Sequence, residues 1–160
     1  MIPGNSVELS TVEEGAIAKI RAWRSAPGDP DHGAMLEDPV RGMHHLILVS
    51  HGHVKFRFAP IASELGVEMR TLERAFARQY GQTMLQCQIE ARLEFSQFLL
   101  RMIPPTKISV VANLLGYEEA RDFQRFFEKQ IQQTPAAWGR KEREKTHRKE
   151  RLASGIRETF

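Results

Sequence analysis

The sequence predicts an all-α protein in which two helix-turn-helix subdomains are joined by a long linking helix. Strand signals are scarce in its 160 residues, since the stretches of β-branched residues are short. Apolar residues instead recur at intervals of three and four along most of the chain, which is the spacing of an amphipathic helix. A pattern that occurs twice, about 50 residues apart, predicts the two subdomains.

The composition is that of a globular protein with unevenly distributed charge. Apolar residues make up 41% and charged residues 27% of the chain, which is ordinary for that class. Residues 1–54 carry four Lys and Arg against seven Asp and Glu, a balance of −3, whereas residues 55–160 carry nineteen against thirteen, a balance of +6. This asymmetry indicates that the second part of the chain meets a polyanion.

Several classes of protein are disfavoured by what the sequence lacks. No apolar run approaches the roughly 20 residues of a membrane span, and the start from Met1 to Asn5 lacks the basic flank of a secretory signal. The single cysteine, Cys87, has no partner for an internal disulfide, so we expect the reducing cytoplasm. No phosphate-binding loop, Ser/His/Asp order or carboxylate pair stands out, and we expect neither an enzyme nor a cofactor.

Four histidines lie close together in the sequence, at His44, His45, His51 and His53. No carboxylate or cysteine completes a recognisable metal-binding spacing with them, and the adjacent pair would point to different sides of a helix. We therefore expect no metal site.

The chain is expected to have three parts. Residues 1–38 form an N-terminal extension with one short amphipathic helix, from Thr11 to Trp23, and a polar linker from Pro27 to Gly33. Residues 39–140 form a domain with nearly continuous helical signals. Residues 141–160 form a charged tail, which we expect to begin as a solvated or frayed helix end and to become mobile beyond it.

The repeated pattern is a small residue four positions before a glycine, followed by two apolar residues four positions apart with an Arg between them. Its copies are Ala62, Gly66, Leu72, Arg74 and Phe76, and Ala112, Gly116, Phe123, Arg125 and Phe127. A helix needs a small side chain where a second helix crosses it closely, and the turn between them needs a residue that tolerates positive φ. The apolar pair, one turn apart, faces the core. Two helix-turn-helix units are therefore predicted, at about residues 57–81 and 107–132.

At these residues the chain resembles the AraC/XylS family of bacterial transcription regulators. The resemblance covers roughly residues 39–140. It rests on Gly66-Val67, Arg70-Thr71-Leu72, Arg74, Phe76 and Gly81, on Arg92-Leu93 and Leu99-Leu100 between the units, and on Ile108, Ala112, Gly116-Tyr117, Phe123, Arg125, Phe127 and Thr134-Pro135. It implies a homeodomain-like tandem, double-stranded DNA as the partner, RNA polymerase as a second partner, and a place at the nucleoid.

The sequence departs from the family pattern at five positions. Glu68 stands where a Ser usually caps the first recognition helix, and Gln132 where a Gly usually ends the second. These two changes predict a weaker cap and a helix end that is strained or longer. Ala77 and Glu128 stand where a Lys is frequent, and Gly139 replaces a common Arg, so positive charge is lost.

The residues expected to contact DNA lie on the second helix of each unit. Along the helix from Met69 to Tyr80 one face is apolar and the opposite face is polar, and the helix that contains Phe123 and Phe127 repeats this division. Arg can form two hydrogen bonds with guanine, Gln can hydrogen-bond to adenine, and Glu can accept a hydrogen bond from cytosine. The family places its base contacts on these polar faces. The predicted DNA-binding residues are Arg70, Glu73, Arg74, Arg121, Gln124 and Arg125. Glu73 is equally consistent with a simple ion pair to a neighbouring Arg.

One long helix is predicted between the units, at about residues 83–102. Its length of about 30 Å would hold two recognition helices at a separation suited to major-groove faces one duplex turn, about 34 Å, apart. A rigid connector then requires that the DNA bends or that one unit releases it. The resemblance implies that Arg92 on this helix forms a buried ion pair with an acidic residue of the first unit, in preference to a phosphate contact.

Several alternatives stay open from the sequence. Two helix-turn-helix units in one chain imitate the halves of a dimer, so we expect a monomer on DNA. The helix of the extension either pads the first unit or pairs with a partner, and the chain is either a stand-alone regulator or a remnant of a longer one.

The rival function is a protein-interaction module that keeps the fold and has lost DNA binding, which the charge departures favour. The basic tail, with Lys141, Lys145 and Lys149, would add affinity without sequence preference.

Overall fold

The computed structural model describes residues 8–26 and 28–157, and these residues contain nine helices and no strand. The helices are α1 (Thr11–Ser25), α2 (Pro30–Glu37), α3 (Pro39–Val49), α4 (Phe58–Leu65), α5 (Met69–Tyr80), α6 (Met84–Arg101), α7 (Ile108–Leu114), α8 (Ala120–Ile131) and α9 (Pro135–Arg157). The all-α prediction with two helix-turn-helix pairs and a long intervening helix is confirmed. The expectations for Met1 to Asn5, for Pro27 and for the last three residues of the tail lie outside the described residues.

The described residues divide into two compact units, one up to Ala91 and the other from Arg92 onward. The division falls within α6, whose first half belongs to one unit and whose second half belongs to the other. The first unit contains the pair α4 and α5, and the second contains the pair α7 and α8. The predicted domain limits at residues 38/39 and 140/141 stay predictions.

The first unit has a core to which α1 and α3 contribute as much as the helix pair. Leu72 and Phe76 of α5 are fully buried, as is Ile61 of α4. They share one cluster with the apolar face of α1, namely Ala16, Ile17, Ile20 and Trp23. Of the two alternatives for this helix, the structure therefore supports the one in which it pads the first unit.

The interpretation of residues 27–33 as a linker is wrong from Pro30 onward, where α2 begins. Proline is favourable at the first position of a helix because its fixed φ suits the helix and its missing N–H has no intrahelical role there. Met35 and Leu36 of α2 then pack against the core. The sequence did not predict this helix because Pro and Gly within a short polar stretch are also typical of a loop.

The second unit encloses its own core, and α9 completes it. Phe123 and Phe127 of α8 lie fully buried against Leu99 and Leu100 of α6, with Trp138 of α9 packed beside them. The charged stretch, which was expected to be a solvated or frayed helix end, is helical up to Arg157, and its residues 144–155 are all exposed, which supports the solvated alternative.

The turns between paired helices have the conformation that the repeat predicts. Gly66 has a φ of 75° and Gly116 a φ of 89°, a region that costs other residues free energy. Ala62 and Ala112 are only 2% and 1% exposed, which leaves room for the crossing helix. Both predictions are confirmed.

Candidate nucleic-acid interface

The outward face of α5 is a row of exposed cations above a buried apolar pair. Leu72 and Phe76 fix the inward side of the helix, so Arg70, Glu73 and Arg74 are directed to solvent, and all three are exposed. Among the described residues, no carboxylate lies within ion-pair distance of Arg70 or Arg74. Their guanidinium groups are thus available to an anionic or hydrogen-bond-accepting partner.

The outward face of α8 has the same layout, with more internal pairing. Arg121, Gln124 and Arg125 are exposed. Arg121 Nε lies 2.7 Å from Glu119 Oε2, and Arg125 Nη1 lies 4.0 Å from Asp122 Oδ1. Exposed pairs of this kind contribute at most about 1 kcal/mol, so each Arg can leave its partner when a better acceptor arrives.

The structure brings the six predicted residues together as two groups of three, one on each unit. It also extends each group with a residue that the sequence analysis missed. Arg78 is exposed one turn beyond Arg74, and Lys129 is exposed one turn beyond Arg125. Each outward face thus holds three cations at spacing i, i+4 and i+8, about 6 Å apart along the helix. Matching positions of the two recognition helices are 51 residues apart in the sequence, and this alignment places Arg78 opposite Lys129, so it could have identified both.

Helix α5 has a weak cap at its N-terminus and a glycine at its C-terminus. Glu68 at the N-cap makes no side-chain hydrogen bond to the helix backbone and accepts one from Thr71 Oγ1 instead, at 3.0 Å. The prediction of a weaker cap is therefore confirmed. Gly81 ends the helix with a φ of 68°, and its N–H donates to the Ala77 carbonyl.

The ends of α8 show a similar weakness. Its N-cap Glu119 makes no capping bond, since its carboxylate pairs with Arg121. At the other end Gln132 has a φ of 64°, and its N–H donates to the Glu128 carbonyl at 2.7 Å. A non-glycine residue in this region is strained, so the strained alternative of the prediction is the correct one.

Aromatic stacking fixes the last turn of α5 on α3. The rings of His44 and Tyr80 stack with centroids 4.0 Å apart, and Phe76 lies 4.8 Å from Tyr80. Burial and the neighbouring Asp38 raise the pKa of Tyr80. Burial and the neighbouring His45 lower the pKa of His44. Both rings are consequently neutral near pH 7, which suits a stacked contact inside a protein.

The other histidines lie apart from this stack. The ring of His45 lies 6.0 Å from that of Trp23, and His51 and His53 follow α3 in the turn before α4. Among residues 8–26 and 28–157, no group of three His, Cys, Asp or Glu is placed to hold a metal ion. Cys87 packs in the core of the first unit, and burial raises the pKa of its thiol.

Arg92 lies almost buried on α6 and binds aromatic side chains of the second unit. Its Nη1 donates to Tyr117 Oη at 3.3 Å, and its guanidinium lies 4.9 Å from the centre of the Phe126 ring. The pKa of Tyr117 is raised because the effect of burial outweighs the opposing effect of Arg92. Tyr117 begins the turn into α8, so Arg92 helps to position that helix. The ion pair expected with an acidic residue of the first unit stays a prediction.

Gly139 has a structural reason that the sequence did not reveal. A Cβ at this position would lie 3.1 Å from the Leu100 carbonyl oxygen and 2.9 Å from Arg143 Nη1. Arg143 Nη1 also donates to that same carbonyl, at the end of α6 where carbonyl groups lack intrahelical partners. The close contact of α9 with α6 therefore excludes a larger side chain.

Two helix pairs, each with a second helix that exposes a row of cations, define a helix-turn-helix nucleic-acid-binding module. Within the part of the chain that the structure describes, no helix could span a membrane. The family model described as a helix-turn-helix domain matches residues 61–141, which is half of the chain. The chain therefore belongs to the AraC-type helix-turn-helix family, a family of DNA-binding transcription regulators.

Solved structures show the same fold. The DNA-binding domain of AdpA, a global transcriptional factor solved in complex with a target DNA, is 24% identical with a TM-score of 0.59, over 68% of this chain and 96% of that chain. The C-terminal domain of the response regulator AraT from Geobacillus stearothermophilus is 22% identical with a TM-score of 0.58, over 64% and 84%. A DNA-binding transcriptional dual regulator from Escherichia coli K-12 is 21% identical with a TM-score of 0.53, over 64% and 91%. No curated protein sequence shows a significant match.

Proposed function

We propose that this protein is a sequence-specific regulator that places the outward faces of α5 and α8 in two successive segments of the DNA major groove. One observation carries the proposal. The positions that hold Arg70, Arg74 and Arg78 in the first unit hold Arg121, Arg125 and Lys129 in the second, and all six side chains are exposed.

The chemistry of these faces suits base recognition. An α-helix fits the major groove, where Arg bonds the O6 and N7 atoms of guanine with both arms and Gln bonds adenine. Arg74 and Arg125 occupy the middle of each row, between an exposed residue one turn before and another one turn after. We infer that they read bases, while the outer cations of each row contact bases or phosphates according to register.

The partner we propose is double-stranded DNA, with a target made of two half-sites about one duplex turn apart. The AdpA domain, which has the same fold, was solved with a target DNA, which supports this choice of partner. RNA polymerase as a second partner stays a prediction from the family.

A specific observation favours the second candidate, a protein-interaction module. Glu119, Asp122 and Glu128 intersperse acidic groups with the cations of α8, and a mixed surface of this kind is also found at protein–protein contacts. Arg70 and Arg74 of α5 oppose it, because no carboxylate pairs with them in the described part of the chain and unpaired like charges are unfavourable at a contact with another protein of mixed charge.

Selection from a pool of randomised duplexes with the purified protein tests the proposal. We expect enrichment of a motif with two parts whose centres lie about 10 base pairs apart. A variant in which Arg70 and Arg74 are both replaced by Ala should enrich only one part, and a variant with Arg121 and Arg125 replaced by Ala only the other. Recovery of unenriched pool by the unaltered protein would reject the proposed function and favour the interaction module.

A further inference from the structure

The positive charge of this protein is concentrated outside its helix-turn-helix pairs. Residues 61–139 contain nine Lys and Arg and nine Asp and Glu, a net charge of zero. Residues 140–157 contain eight Lys and Arg and three Asp and Glu, a net charge of +5. Since the family match ends at residue 141, most of this charge lies on a helical extension that is not part of the matched region.

The extension is long enough to be a contact surface. Helix α9 continues for 16 residues beyond the family match, to Arg157, which corresponds to about 24 Å. Two adjacent faces of this helix differ in their charged residues. One face carries Arg140, Arg143, Glu144, His147, Arg148 and Arg151, and the other carries Lys141, Lys145 and Lys149.

The arginine face lines a groove within the second unit. The groove has a volume of about 460 Å³, and Ile103 and Pro105 form its other wall. Arg143 is committed to the Leu100 carbonyl, whereas Arg140, Arg148 and Arg151 are exposed. On the adjacent face Lys145 Nζ forms a largely exposed ion pair with Glu142 Oε1, at 3.0 Å. The arginine face therefore offers more uncommitted charge, beside a concave surface.

A neutral pair of helix-turn-helix units is poorly equipped to bind a duplex by itself. Affinity for DNA comes largely from cations that displace condensed counterions from the phosphates, and in this chain carboxylates beside Arg121 and Arg125 of α8 offset part of their charge. Arginine binds phosphate oxygens through two parallel hydrogen bonds. Arg140, Arg148 and Arg151 lie within a stretch of twelve residues, about 16 Å of helix, a length along which one DNA strand presents several phosphates.

We propose that the arginine face of α9 binds the phosphate backbone of duplex DNA beside the site that the recognition helices read, a role that rests on the proposed function. The face supplies affinity that is independent of sequence, and the recognition helices supply preference. Because different residues supply the two properties, mutations should change binding strength and sequence preference separately.

The test compares two triple variants of the full chain that lose the same charge from two adjacent faces of α9. One replaces Arg140, Arg148 and Arg151 by Gln, and the other replaces Lys141, Lys145 and Lys149 by Gln. All six side chains are exposed, so helicity measured by circular dichroism should match the unaltered protein. Fluorescence anisotropy then gives the dissociation constant for the selected duplex and for a scrambled duplex at a series of salt concentrations.

Each phosphate contact contributes about 0.9 to the slope of log K against log salt. We expect the arginine variant to lose about two to three units of slope on both duplexes, and the lysine variant to lose less than about one, with the selected-to-scrambled ratio unchanged in both. The proposal thus replaces the expectation that Lys141, Lys145 and Lys149 supply this affinity. Equal losses from the two variants, or no loss from either, would overturn the assignment of the arginine face. A selected-to-scrambled ratio near one for the unaltered protein would instead reject the proposed function, and the slopes would still decide the role of α9.

Discussion

At the scale of single residues, Glu13 is a buried carboxylate held by several hydrogen bonds in the first unit. Its carboxylate is fully buried and accepts hydrogen bonds from the backbone N–H of Ser10 at 2.9 Å, from the backbone N–H of Arg57 at 3.0 Å and from Arg57 Nη2 at 2.8 Å. Burial alone raises the pKa of Glu13, but the hydrogen bonds from Arg57 and Ser10 outweigh burial and lower the pKa from 4.5 to about 2. This carboxylate joins α1 to the start of α4.

Replacing Glu13 by Gln should lower the free energy of unfolding by about 2 kcal/mol at pH 7. Because the pKa is lowered in the folded state, the stabilisation is complete above about pH 4.5 and is lost as the pH falls toward 2. The difference between the unaltered protein and the variant should therefore shrink over that range in urea titrations. Glu14→Gln, at the exposed neighbouring position, is the control and should change little. A difference that stays constant down to pH 3 would contradict the assigned pKa.

The backbone conformation of Gln132 predicts a measurable effect on the free energy of unfolding. Its φ of 64° is costly for a residue with a Cβ, so Gln132→Gly should raise the free energy of unfolding by about 1 kcal/mol. Gln130→Gly makes the same change inside α8, where φ is negative, and should lower that free energy by about 0.5–1 kcal/mol. Thermal or urea unfolding of the two variants gives the comparison, and two changes of the same sign would refute the strain at Gln132.

At the scale of helices, the sequence predicted those that repeat or carry a strong apolar face. The two helix pairs were predicted because Ala, Gly and an apolar pair each have a steric role at a fixed spacing. Helix α1 was predicted from its apolar face, but the pattern alone could not say which surface that face would meet. Helix α2 was missed because it begins inside a polar stretch that contains Pro30 and Gly33, and the sequence of α9 left open whether its charged end is solvated or frayed.

The close packing of α3 on α2 depends on Gly42. A Cβ at this position would lie 2.8 Å from the Met35 carbonyl oxygen, a backbone atom, and 3.5 Å from the Trp23 ring. Gly42→Ala should therefore cost about 1–3 kcal/mol of stability. Gly15→Ala in α1, where nothing lies within 4 Å of the added Cβ, should gain about 0.5–1 kcal/mol. Urea midpoints of the two variants decide the matter, and a gain from both would show that α2 is not packed as described.

At the scale of the whole molecule, we expect a monomer in solution. The apolar face of α1, which could have served a partner chain, is buried in the core of its own unit through Ile20 and Trp23. Light scattering at micromolar concentration should therefore give the mass of one chain, 18.3 kDa. A stable dimer that is abolished by substitutions within residues 11–23 would contradict this expectation.

The candidate site was predictable in part. Helical spacing was enough to place Arg70, Arg74, Arg121 and Arg125 on outward faces, because the buried Leu and Phe of each helix fix its rotation. Their ion pairs were not predictable, since Arg121 pairs with a residue in the turn before its helix, and the geometry of a turn does not follow from helical periodicity. The groove beside α9 was missed for a similar reason, because its second wall comes from the loop after α6.

Titration of single Arg variants against matched and mismatched duplexes tests most directly whether α5 and α8 read bases. The variants are Arg74→Ala and Arg125→Ala, with Arg41→Ala as a control that removes the same exposed charge from α3. We expect each of the first two to lose about 1–3 kcal/mol of discrimination at one base pair, and at a different base pair for each. Arg41→Ala should leave discrimination unchanged. If Arg74→Ala and Arg125→Ala bind every duplex as the unaltered protein does, the two helices do not read DNA and the interaction module becomes the better account.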